Sequence, residues 1–151
     1  MSDHKKINIA VIGATGYTGL DLIFLLSKHP KVSISYLCAT KNLGKKISFF
    51  DKRLKKNLPK ITSVNKIIWQ NLDLVFLSLP NGEAQKLIKK TFNKYKKLKY
   101  IDLSADFRIK NHKIYSKNYN IKHRAQDLIK YSIYSISEFC KKDINNYRII
   151  S

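Results

Sequence analysis

The sequence is poor in the features that mark metal centres, membrane spans and nucleic-acid readers. It has two cysteines, Cys38 and Cys140, in 151 residues. They form no CxxC pair and offer no metal-ligand spacing, and neither do the four histidines. Both thiols are therefore expected to be buried and reduced, and no metal is expected. No apolar run approaches the roughly 20 residues a membrane-spanning helix needs. The stretch 74–79 is among the longest. The first residues show no signal peptide, which suggests a cytoplasmic protein. Carboxylates are scarce: 10 acidic against 30 basic residues give a formal charge of +20. Such a charge raises a nucleic-acid partner. Arginine, however, is the residue suited to bidentate base and phosphate contacts, and only 4 of the 30 basic residues are Arg. The 26 lysines are spread along the whole chain. A solvated lysine surface and a functional anion-binding field are the two alternatives to nucleic acid. The abundance of Ile (20) and Asn (12) beside Lys suggests a compositional drift of the genome.

What is present suits one globular domain. Hydrophobic residues make up 44% and charged residues 26%, near the averages for folded proteins. Residues 7–12 form an apolar run that reads as a strand buried on both faces. A glycine-rich turn at 13–19 follows. Residues 20–28 then read as a helix with Leu22, Ile23, Leu25 and Leu26 inward, ended at His29-Pro30. A second strand is expected over 32–39, completing a βαβ unit. Residues 40–60 read as loop or short helix anchored by Phe49 and Phe50. Further strands are expected at 73–79, 100–103 and 148–151. A helix is expected over 83–95, with Ala84, Leu87, Ile88 and Phe92 inward. The stretch 110–130 yields no clear assignment. This alternation implies an α/β fold with a mainly parallel sheet covered on both faces. No repeat, low-complexity tract or linker interrupts it.

Three turns carry candidate chemistry. The first is Gly13-Ala14-Thr15-Gly16-Tyr17-Thr18-Gly19, between a strand and a helix. Glycines let the backbone turn and approach a diphosphate, which the helix N-terminus then holds. Spacing alone also permits a tight structural turn. About 20 residues on, NAD-binding folds usually carry an Asp or Glu for the ribose 2′-hydroxyl. Here the second strand ends Cys38-Ala39-Thr40-Lys41-Asn42-Leu43-Gly44-Lys45-Lys46, with no carboxylate. Thr40, Lys41 and Lys45 suit a 2′-phosphate, so NADP is the expected cofactor, with solvated lysines as the alternative. The second turn, Ser78-Leu79-Pro80-Asn81-Gly82, is either a ligand site at a strand's carboxyl end or plain punctuation. In the third, Asp102-Leu103-Ser104-Ala105-Asp106-Phe107-Arg108, Ser104 and Asp106 are candidates for ligand contact or for capping. Arg108 is a candidate anion binder.

Together the glycine turn, Leu79-Pro80-Asn81-Gly82 and Ile101-Asp102-Leu103-Ser104-Ala105-Asp106-Phe107-Arg108 resemble the N-acetyl-gamma-glutamyl-phosphate reductases of arginine biosynthesis. Tyr134-Ser135-Ile136-Ser137-Glu138 is similar to a later segment of that family. The resemblance runs from Ile7 to Ser151. It implies a Rossmann-type, doubly wound NADP-binding domain over 1–151, incomplete at its C-terminal end. It implies an oxidoreductase that reduces an acyl phosphate to an aldehyde through a cysteine thioester. It places cofactor contacts at Gly13, Thr15, Gly16, Tyr17, Thr18, Gly19, Thr40, Lys41, Lys45, Leu79 and Pro80. Substrate contacts fall at Asn81, Gly82, Ser104, Asp106, Arg108 and Glu138. The family's nucleophile is expected just beyond Ser151, so no catalytic residue is expected within the chain. The second domain, which supports a homo-oligomer, is likewise outside it. Thr40 stands where an arginine is common, Asn81 where histidine is, and Ser135 where glycine is. The alternatives are the related acyl-phosphate reductase of lysine biosynthesis, a non-catalytic NADP-binding module and, less favoured, a basic nucleic-acid binder.

Overall fold

A computed structural model describes residues 5–54, 57–136, 138, 139 and 144–151. Ser137 and Cys140, whose thiol was expected to be buried, lie outside the described residues. The chain forms two compact units, Met1–Ser78 and Leu79–Ser151.

In the first unit, β1 (Ile7–Ile12) pairs in parallel with β2 (Val32–Cys38) on one side. On its other side lies β4 (Leu74–Leu77), also parallel. The two-residue β3 (Ile61–Thr62) extends the sheet beyond β2 in the same sense, giving the order β3-β2-β1-β4. Ile9 to Ile12 are at most 2% exposed, as expected of a strand covered on both faces. Parallel neighbours need a crossover, and α1 (Tyr17–Ser27) provides the one between β1 and β2.

The helix begins at Tyr17 rather than at residue 20, because Gly16 is its cap in an extended conformation. Its buried residues are Gly19 and Ile23, four apart on one face. Leu25, expected inward, is 66% exposed; two residues past Ile23 it lies about 200° around the helix. Phe49 does not anchor the lysine-rich stretch either, being largely exposed. Among the described residues of that stretch, Ile47 and Leu54 are the buried side chains.

The second unit begins with α2 (Glu83–Thr91), four residues shorter than expected. Ala84, Ile88 and Phe92 are buried and Leu87 is half-buried. Gln85 is buried beside them. Then come β5 (Lys99–Asp102), α3 (His112–Tyr119), β6 (Ser132–Ile133) and β7 (Ile149–Ile150). Their parallel order is β5-β7-β6. The unassigned stretch 110–130 thus holds α3. Asn111 caps that helix by accepting from the backbone of Lys113 and Ile114. Arg148, just before β7, donates to the carbonyls of Phe92, Tyr95 and Leu98 and lies 3.8 Å over the Phe92 ring. It thereby ties the Phe92 carbonyl at the C-terminal end of α2 to the chain that leads from it into β5. Among the described residues no helix is long and apolar enough to cross a membrane. No group of three His, Cys, Asp or Glu among them could hold a metal ion.

Candidate functional site

Because the strands of the first unit are parallel, their carboxyl ends share one edge of the sheet. That edge carries the glycine turn, the end of β2 and Ser78. Gly13 has φ of 89°, a conformation that favours glycine. A Cβ there would meet the Ser78 carbonyl oxygen at 1.9 Å. The Gly13 and Ala14 N–H groups donate to the Cys38 carbonyl at 2.9 and 3.0 Å, tying the turn to β2. Gly19 packs so closely that a Cβ would lie 2.2 Å from the Gly13 carbonyl oxygen.

Gly16 differs from the other two. A Cβ there would meet only the Gly13 oxygen, at 3.5 Å, so backbone packing does not demand glycine. Thr15 is half-buried, and Gly16, Tyr17 and Thr18 are exposed. Tyr17 is 93% exposed. The first turn of α1 leaves N–H groups without helical acceptors. No side chain caps it, and no acidic residue stands in it. Such an end attracts an anion.

Thr40, Lys41 and Lys45 are all exposed on the turn after β2. The turn is shaped by Asn42 and Gly44, with φ of 62° and 81°. It is fastened to β3 by Gly44 N–H to Ile61 O at 2.7 Å and Ile61 N–H to Lys45 O at 2.9 Å. The Lys45 Nζ lies 4.7 Å over the Phe49 ring. Cys38 is fully buried, and burial pushes its thiol up to about 12. It is a packing residue rather than a nucleophile.

In the second unit the two remaining turns interlock. The Asn81 Oδ1 accepts from the Ala105 N–H at 3.2 Å. The Asp106 carboxylate accepts from the Gly82 N–H at 2.7 and 3.0 Å and from the Gln85 N–H at 3.0 Å. It also accepts the Tyr115 hydroxyl at 2.6 Å. Tyr115 in turn accepts from the Gln85 Nε2 at 3.2 Å, and the Gln85 Oε1 accepts from the Arg124 N–H. His123 completes the cluster. Its Nδ1 accepts from the Ala125 N–H, so Nε2 carries the proton and donates to the Asp106 carbonyl at 2.7 Å. Burial lowers the His123 pKa. Gln85, Asp106, Tyr115 and His123 are all at most 1% exposed. Of the capping and ligand alternatives for Asp106, the geometry displays capping, of a helix that starts 23 residues earlier.

Ser104 is nearly buried. Its N–H donates to the Asp102 Oδ1 at 2.9 Å, and its Oγ accepts from the Asp106 N–H at 3.2 Å. Asp102 is 1% exposed, and its Oδ2 has no hydrogen-bond partner among the described residues. Burial raises its pKa to about 6, with the nearby Asp106 charge adding to the rise. Arg108 is exposed, donates to the Leu103 carbonyl at 3.0 Å and lies 5.9 Å from the Tyr134 ring. Asn81, Pro80 and Glu138 are exposed, Leu79 is half-buried and Gly82 is buried. Sequence reasoning missed Gln85, Tyr115 and His123. The one available signal was Gln85, a polar residue on the inward face set by Ala84 and Ile88.

Residues 8–147 match the family described as semialdehyde dehydrogenase, NAD binding domain. An N-acetyl-gamma-glutamyl-phosphate reductase of Ehrlichia canis is 42% identical over 148 residues, covering 97% of this chain and 42% of the relative. The chain spans about two-fifths of the length of such bacterial relatives. Aspartate semialdehyde dehydrogenase II of Vibrio cholerae, solved with ASA, superposes with a TM-score of 0.60 at 15% identity. It covers 97% of this chain and 41% of that one. The Candida albicans aspartate semialdehyde dehydrogenase, solved with NADP, gives 0.54 at 26% identity over 72% of this chain and 32% of that one.

Proposed function

Since the chain belongs to the semialdehyde dehydrogenase family through its NAD-binding domain, we propose that it is the NADP-binding part of an N-acetyl-gamma-glutamyl-phosphate reductase. The observation that carries this reading is the open N-terminus of α1 behind a glycine turn, uncapped and without an acidic residue. The exposed Gly16 leaves the backbone clear for a diphosphate. Thr15, Tyr17 and Thr18 line the same turn, while Gly13 and Gly19 keep its shape. Thr40, Lys41 and Lys45, in place of a carboxylate, favour a cofactor with a 2′-phosphate. Leu79 and Pro80 are further proposed cofactor contacts.

When bound, the dinucleotide supplies the hydride that reduces an acyl carbon. On the substrate side, Asn81 offers its Nδ2 and Arg108 its guanidinium to an acidic small molecule. Both hang from one residue: Ala105 donates to the Asn81 Oδ1 and accepts from the Arg108 N–H. Gly82, Ser104 and Asp106 shape those turns, and Glu138 is a further proposed contact. None of the 151 residues is assigned as the nucleophile. A homo-oligomer and a cytoplasmic location belong to the same reading. Nucleic acid is disfavoured because only 4 of the 30 basic residues are arginines, and two of those four are engaged within the fold. Arg53 pairs with Asp21 and Asp51, and Arg148 binds carbonyls.

Fluorescence titration of this chain with NADPH and NADH tests the reading. Tighter NADPH binding is expected, with K41Q/K45Q reducing the preference by about tenfold, the worth of one charge-assisted hydrogen bond. Tighter binding of NADH would overturn it.

A further inference from the structure

Helices α1 and α2 both start at a glycine-bearing turn, but their N-termini are treated in opposite ways. That of α1 has no side-chain cap. Its nearest carboxylate along the chain, Asp21, sits in the second turn and is paired with Arg53 at 2.6 Å. That of α2 is filled by the Asp106 carboxylate, with Gly82 and Gln85 N–H groups and the Tyr115 hydroxyl directed onto it. Asp106 is completely buried, and no ion pair among the described residues includes it. A buried charge without a counter-ion is tolerated only where several donors converge. Here those donors are the helix end and one tyrosine. His123 holds the backbone of the same residue through its carbonyl.

We propose that Asp106 is a positioning residue that acts as a resident anion. Its carboxylate occupies a seat at the start of α2, fixes the turn that carries Asn81, and keeps that helix end closed to anions from solution. The consequence for ligand choice rests on the cofactor reading above: the phosphates are left with the N-terminus of α1. The seat itself is independent of that reading. With the carboxylate removed, the three donors remain, and a small carboxylate from solution should enter.

The test uses the 151-residue chain with D106G, following the Gly82 and Gln85 amides by 1H–15N NMR and the thermal midpoint. Sodium formate is added against sodium chloride at equal ionic strength. In D106G both amides should move upfield and the midpoint fall. Formate should restore both saturably, and chloride should not. In the wild type formate should leave the two amides in place. A purely packing role predicts a loss that formate does not mend, and that outcome overturns the proposal, as does an equal formate response in the wild type. If D106G does not fold with or without formate, D106N supplies the decision. It keeps the size and loses the charge, so an unmoved Gly82 amide in a folded D106N would refute the resident-anion role. NADPH is titrated into the wild type in parallel, watching the amides of residues 15–20. Silence there with a formate-responsive D106G sinks the cofactor reading and leaves the role of Asp106 standing.

Discussion

Replacing Asp102 by Asn should make the protein more stable at neutral pH. Asp102 is buried, one oxygen is unpartnered, and its pKa is raised from the usual carboxylate range to about 6. In the unfolded chain the group titrates near 3.8. Between these values the folded state holds a proton that the unfolded state has released. The favourable contribution is therefore complete below about pH 3.8 and is lost as the pH rises through 6. A shift of about two units corresponds to about 3 kcal/mol, with roughly 1 kcal/mol lost by pH 4.5 and the rest by pH 7.5. Asn at this position cannot ionise, and its Oδ1 still accepts from Ser104. The stability difference between D102N and the wild type should thus grow by about 2 kcal/mol from pH 4.5 to pH 7.5. Urea titrations of both proteins at the two pH values measure it. Taking the difference cancels the titration of groups that do not interact with Asp102. A difference that is flat with pH, or a variant weaker by more at pH 7.5 than at pH 4.5, would refute the claim that Asp102 is ionised at a cost.

The glycines should separate cleanly. G13A drives a Cβ into the Ser78 carbonyl at 1.9 Å in a conformation with φ of 89° and should cost roughly 3 kcal/mol or more in chemical denaturation. G16A meets only an ordinary contact at 3.5 Å, so its denaturation curve should stay within about 1 kcal/mol of wild type while NADPH binding weakens. R148A leaves the part-buried carbonyls of Phe92, Tyr95 and Leu98 and the Phe92 ring without their guanidinium and should cost about 2–4 kcal/mol by urea midpoint. R148K should recover less than half, because an ammonium cannot reproduce the planar fork.

The sequence made β1, β4, β5 and β7 legible because each is a short apolar run next to turn residues, a pattern local enough to read. Gly13 and Gly19 were readable as a tight turn for the same reason. What escaped depends on distance along the chain. Gln85, Tyr115 and His123 meet at Asp106 across separations of 9 to 21 residues, and no periodicity records such a meeting. Leu25 and Phe49 misled for a related cause. Apolar character predicts burial only on average, and the inward faces here were taken by Gly19, Ile23, Ile47 and Leu54. β3 is two residues long, too short for alternation to register. The turn at 102–108 could be singled out by its composition, but the division of labour inside it could not. Asp102 and Asp106 are alike in sequence, and only the donors around them make one a satisfied anion and the other a strained one.

The two charged side chains that bracket α2 set an order of events when the chain folds. The helix has nine residues, too few to persist alone in water. Its start is completed by a residue 24 positions beyond Gly82, and its end by Arg148, 56 positions beyond Phe92. Each closure costs chain entropy before it is rewarded, so α2 should settle late, after β7 has been laid beside β5. During synthesis on a ribosome, residues 83–91 leave the exit tunnel long before Arg148 does. For that interval they should form a lysine-bearing segment without a fixed shape, open to proteases and chaperones until β7 arrives.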